Sequence, residues 1–112
     1  MRVIEVSEAT PMPNPHGVDA RKLYDSEHAQ AVVIRLEPGQ QLRRHITPVD
    51  VFFYVLEGEG VVEVGDEQRT ITPHQLVESP KDIPHCWFNR SDKELRVLVV
   101  KTPRPASKTT LL

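Results

Sequence analysis

The sequence predicts an all-β domain, and three observations carry that prediction. Ten prolines and five glycines cut the chain into short segments. Val32, Ile34 and Leu36 alternate with Arg35 and Glu37, the two-residue period of a half-buried strand. The runs at 51–56 and 97–100 are apolar on both faces, which suits central strands with one side in a barrel and the other against a second layer.

Residues 1–28 read as an arm. Pro11-Met12-Pro13-Asn14-Pro15 blocks regular structure, so the arm is expected to wrap the barrel, closing it or crossing to a partner subunit. The barrel proper is expected over 29–101. Its first strand, 32–36, ends at the Pro38-Gly39 turn. The central strand at 51–56 leads through Glu57-Gly58-Glu59-Gly60 into a strand at 61–64, and Gly65-Asp66 makes a hairpin to 68–72. Further strands are expected at 75–78 and 85–89. After the polar turn at 90–93 comes the last strand, 94–101, and 102–112 reads as a frayed polar tail.

At 112 residues the chain has room for one core. A net charge of -2 and a pI near 6.2 give no reason to expect nucleic acid or an anionic membrane as partner. The single cysteine, Cys86, excludes an internal disulfide framework, and Met1-Arg2-Val3-Ile4-Glu5 lacks an apolar signal core. A cytoplasmic protein is expected.

Two spacings carry the chemistry. Gly39-x5-His45-x-Thr47 is followed by Val51 and Gly58, and Pro80-x-Asp82-x2-His85-x3-Asn89 comes later. Together they resemble the two motifs of the cupin superfamily, G-x5-H-x-H-x3,4-E-x6-G and G-x5-P-x-G-x2-H-x3-N, over residues 30–101. The resemblance implies a small single-domain antiparallel barrel, a jelly-roll-like double sheet. It also implies one divalent metal (iron, manganese, zinc or nickel), held by three imidazoles and a carboxylate. Here Thr47 stands at the second histidine and Val51 at the glutamate, while His74 and Asp82 replace motif glycines. Only His45 and His85 survive at the positions of the family's metal ligands, so the resemblance implies that they would hold the metal.

Strict alternation puts Arg43, His45 and Thr47 on one face, with Val51 and Phe53 on another interior row and His85, Trp87 and Asn89 on a third. These residues form the expected ligand pocket. A third metal donor would come from Asp50, if a bulge turns it inward, or from His16, if the arm reaches the barrel mouth. Each has a blander reading. His45 and His85 can be pocket histidines that bind no metal, and His16, His28 and His74 can be surface residues. Cys86 is expected to be a packed, inert thiol. Arg43 either holds a substrate carboxylate or pairs with a rim acid.

The expected function is a small-molecule-binding domain around His45 and His85, working as a homodimer without nucleic acid or membrane. The alternative is an atypical metal-dependent enzyme of the dioxygenase or isomerase class. A metal-free acid–base route through either histidine is a third possibility.

Overall fold

The computed structural model describes residues 1–112. Apart from one turn of 3-10 helix at Val6–Glu8, its regular structure is ten strands: β1 (Asp19–Asp25), β2 (Gln30–Leu36), β3 (Gln41–Ile46), β4 (Asp50–Glu57), β5 (Gly60–Val64), β6 (Glu67–Ile71), β7 (Leu76–Ser79), β8 (His85–Phe88), β9 (Leu95–Thr102) and β10 (Thr110–Leu111). They form two antiparallel five-stranded sheets, ordered β1-β2-β9-β4-β7 and β10-β3-β8-β5-β6. No helix is long and apolar enough to cross a membrane.

The inner faces of the two sheets meet in one core. Leu36, Val55, Trp87, Leu95 and Val97 are wholly buried, and each such side chain contributes about 1.5–3 kcal/mol by leaving water. In β4 the buried residues are Val51, Phe53 and Val55, while Phe52 and Tyr54 are half-buried on the outer face. That run is apolar on both faces for this reason.

Two glycines are required by close approach. A Cβ on Gly58, at φ +83°, would lie 2.2 Å from the Glu94 carbonyl oxygen, and one on Gly60 would lie 2.6 Å from Leu95 and 2.9 Å from the Trp87 ring. His74 and Asp82 occupy positive φ (73° and 64°), a region that favours glycine. The backbone therefore keeps the motif's left-handed turns at both positions where the glycine itself is gone.

Three sequence expectations change in detail. Part of the 1–28 arm is a strand: β1 pairs with β2 of the same chain, and Met12 N–H donates to Ala20 O at 2.8 Å, so the arm closes its own barrel. The 102–112 tail is not frayed throughout, since Thr110 and Leu111 pair with Ile46 and His45 on the open edge of β3. Finally, β3 does not alternate strictly. A bulge between Leu42 and His45 turns both of those side chains inward and leaves Arg43 and Arg44 exposed.

Candidate functional site

One end of the barrel interior is polar. Across β3 and β8, His45 faces His85, and both are buried. Their Nε2 atoms are 3.0 Å apart, with the rings edge to face at 4.4 Å between centroids. Each imidazole is fixed from its far side. His45 Nδ1 lies 2.5 Å from Arg43 O, which can only accept, so Nδ1 carries the proton and Nε2 the lone pair. His85 Nε2–H then donates to His45 Nε2, and His85 Nδ1 accepts from Ser79 Oγ–H at 2.6 Å. The result is a hydrogen-bonded chain with one direction, from Ser79 through His85 and His45 to a backbone carbonyl.

The arm delivers a third histidine. Asn14 holds a tight turn by accepting the backbone N–H groups of His16 and Val18 and donating to the carbonyls of Met12 and Val18. That turn carries the His16 ring to 4.9 Å from His45. His16 Nδ1 accepts the Arg43 backbone N–H at 2.9 Å, which leaves its Nε2–H as a donor when the ring is neutral.

All three imidazoles are held neutral. Burial, followed by the charges of His45, Lys101 and His16, lowers the pKa of His85 to about 3. Burial, then His45, Arg43 and Lys101, lowers His16 to about 4. Burial also lowers His45, against the raising effect of its bond to Arg43 O.

The wall opposite the histidines is built from β9, β4 and β7. Lys101, Val51 and Ser79 are cross-strand neighbours there. Lys101 continues the inward row Leu95, Val97, Val99, and burial lowers its pKa. Phe53 lies edge-on to both His85 (5.2 Å) and Trp87 (5.4 Å), separating the polar end from the core. Thr47 Oγ1 is 3.4 Å from His85 Nε2.

The structure thus brings together His16, His45, Thr47, Val51, Phe53 and His85. It does not bring Asp50, Arg43 or Asn89 to them. Asp50 is exposed, and its carboxylate accepts the Lys81 N–H at 2.8 Å, capping a loop instead of turning inward. Arg43 is turned out by the bulge. Asn89 is buried, but its amide donates to the carbonyls of Leu36 (2.8 Å) and Lys93 (2.7 Å) and accepts from Ser91, so it fastens a turn and lines no pocket. Trp87 is core, packed against Gly60. Among the residues read as bland, His28 and His74 are exposed, and the Cys86 thiol donates to Glu63 at 3.1 Å with its pKa pushed up to about 12 by burial and that carboxylate.

Sequence reasoning missed Ser79 and Lys101. Lys101 shares the parity of 95, 97 and 99, but 98 and 100 are apolar too, so that parity alone does not mark it as inward. Ser79 precedes Pro80 and reads as a turn residue until its pairing with Val51 is known.

As a metal centre the site is short of donors. It offers two converging imidazoles and no carboxylate, and no group of three or more His, Cys, Asp or Glu side chains is placed to hold an ion. Catalytic zinc sites ordinarily have about three protein ligands. The 3.0 Å between the two Nε2 atoms does match, to within a few tenths of an ångström, adjacent ligands about 2.1 Å from one ion.

Comparison with known proteins gives a uniform answer on the fold. The cupin domain family matches residues 32–101. Among solved structures, TT1209 from Thermus thermophilus is 31% identical, with 94% of this chain and 100% of that one covered and a TM-score of 0.81. The polyketide cyclase RemF from Streptomyces resistomycificus is 18% identical, with 100% and 85% covered and a TM-score of 0.85. The DMSP lyase DddQ from Ruegeria pomeroyi is 18% identical, with 97% and 59% covered and a TM-score of 0.78. No curated protein matches the chain.

Proposed function

Because this chain belongs to the cupin domain family, whose solved relatives include a cyclase and a lyase, we propose that it binds a small molecule in the barrel interior at the His45–His85 pair. The observation that carries this reading is the hydrogen-bonded chain Ser79–His85–His45–Arg43 O, buried at one end of the barrel. Buried polar side chains are costly to a core unless their partners are arranged, and here each ring nitrogen is arranged. A neutral imidazole pair of this kind accepts a proton from a ligand hydroxyl or activated carbon, or donates a hydrogen bond to a ligand carbonyl.

A thermal-shift screen of small metabolites tests the reading. A ligand at 100 times its Kd raises stability by about 2.7 kcal/mol. That gain should vanish in His45→Ala and His85→Ala. A ligand whose stabilisation survives both substitutions would place the site elsewhere.

A metal-dependent enzyme is the second reading, favoured by the convergence of the two Nε2 atoms. Two imidazoles hold a divalent ion weakly, so elemental mass spectrometry on untagged protein should find it sub-stoichiometric and removable by dialysis. Near-stoichiometric metal, lost in both alanine variants, would make the metal reading the better one.

A further inference from the structure

The wall facing the histidines holds a cation with no partner. Lys101 is half-buried, points inward from β9, and makes neither an ion pair nor a hydrogen bond. Every other lysine or arginine that is not exposed has a carboxylate within reach: Arg21 with Asp19 (3.1 Å), Lys22 with Asp25 (3.4 Å), Arg35 with Glu37 (3.5 Å) and Arg96 with Glu94 (2.6 Å). The contrast is informative because a desolvated ammonium without a counter-charge is among the costliest arrangements in a protein interior.

Nothing in the barrel's own interior can serve as that counter-charge. The buried polar residues are His45, Thr47, Ser79, His85 and Asn89, and none is acidic. Val51, the cross-strand neighbour of Lys101, is apolar. The surroundings also offer a donor and no acidic acceptor: His16 Nε2–H is free to donate. Lys101 sits close enough to His16, His45 and His85 for its charge to act on all three.

We infer that Lys101 is an anion subsite of the barrel, pairing with the carboxylate of a small organic acid whose remaining atoms lie against His45 and His85. This inference rests on the histidine-pair site proposed above and names the class of its ligand. A carboxylate fits better than a phosphate. Phosphate is usually held by several cationic or clustered backbone N–H donors, whereas the interior offers one ammonium flanked by a single imidazole N–H. The neutral state of the histidines suits this arrangement, since one interior cation then meets one anion.

The test compares matched acid and amide probes: lactate with lactamide, glycolate with glycolamide, and benzoate with benzamide. Binding is followed by ligand-observed NMR and by melting temperature. Wild-type protein should bind at least one acid tenfold or more tightly than its amide. The preference should disappear in Lys101→Met and persist in Lys101→Arg. Without ligand, Lys101→Met should melt at a higher temperature than wild type, because it removes the unpaired charge while keeping the chain length.

Equal affinity for an acid and its amide, or an acid preference that survives in Lys101→Met, would overturn the inference. If the amides bind and lose binding in His85→Ala, the histidine site stands and only the anion subsite falls. If no probe binds wild-type protein, and Lys101→Met melts no higher, the subsite and this ligand class fail together.

Discussion

Leu36, Leu95, Trp87 and Asn89 close one end of the barrel, and His45, His85, Ser79 and Lys101 line the other; the two ends treat polar groups in opposite ways. At the first, aliphatic and aromatic side chains are fully buried, the Asn89 amide is saturated by backbone carbonyls and Ser91, and Gly58 and Gly60 admit neighbours no Cβ would tolerate. At the second, three imidazoles are kept neutral by burial and an ammonium has no partner. At the first end the unpaired polar atom is the enclosed Trp87 Nε1–H, whereas the second leaves an ammonium and an imidazole N–H without partners. The same small barrel therefore separates the groups that hold it together from those that are free to do chemistry.

The largest expected effect falls at the closed end. Trp87→Ala should cost about 3–5 kcal/mol in denaturant unfolding, because it empties a site packed by Phe53, Leu95 and Gly60. A loss below about 1 kcal/mol would mean that this end is not the stabilising one.

Acid should act through the other end. The pKa of His85 is lowered to about 3 and that of His16 to about 4 in the folded state, while the unfolded chain titrates near 6.5. The unfolded state therefore binds more protons between these limits, and stability rises with pH across that window. It should be fully present above about pH 6.5 and fall on acidification, by on the order of 3 kcal/mol at pH 4 from His85, with a smaller, solvent-screened share from half-buried His16. Denaturant midpoints that stay flat from pH 7 to pH 4, or a His85→Ala variant with the same acid sensitivity as wild type, would show that the histidines are not buried neutral.

Asn89→Ala should cost about 2 kcal/mol by removing its hydrogen bonds to the Leu36 and Lys93 carbonyls, the latter keeping only its bond from Ser91 Oγ, with ligand binding at the histidine end unchanged once the protein is folded. Loss of binding without loss of stability would return Asn89 to the site. The smallest effect is a gain. Asp82→Gly should stabilise by up to about 1 kcal/mol, since φ at 64° suits glycine better. Differential scanning calorimetry would resolve it, and destabilisation would indicate a role for the carboxylate.

The closed end was the more legible in sequence. The alternation of 32, 34 and 36 and the doubly apolar 51–56 run put Leu36, Phe53 and Val55 inside, as found. The motif spacing located His45 and His85 and aligned 74 and 82 with motif glycines, where the backbone proves left-handed although the glycines are gone. What was hidden at the open end has a physical cause in each case. The bulge in β3 falls within Gln41-Leu42-Arg43-Arg44-His45, where polar residues obscure the two-residue period, so Arg43 was read inward. Lys101 closes a strand that is apolar on both faces, so its parity carried no contrast. Asn89 shares the parity of Trp87, but its hydrogen bonds depend on the path of distant segments at Leu36 and Lys93.

The bulge at Arg43-Arg44 also makes the site adjustable by length. One surplus residue frees the Arg43 N–H from the sheet, and His16 captures it as the fastening point of the arm. Removing Arg44 would restore even spacing from Leu42 to His45 and leave His45 facing inward. The same deletion would return that amide to the ladder and release His16. A single-codon deletion can thus detach the third imidazole without changing any residue that lines the cavity, so the arm and the histidine pair can vary independently.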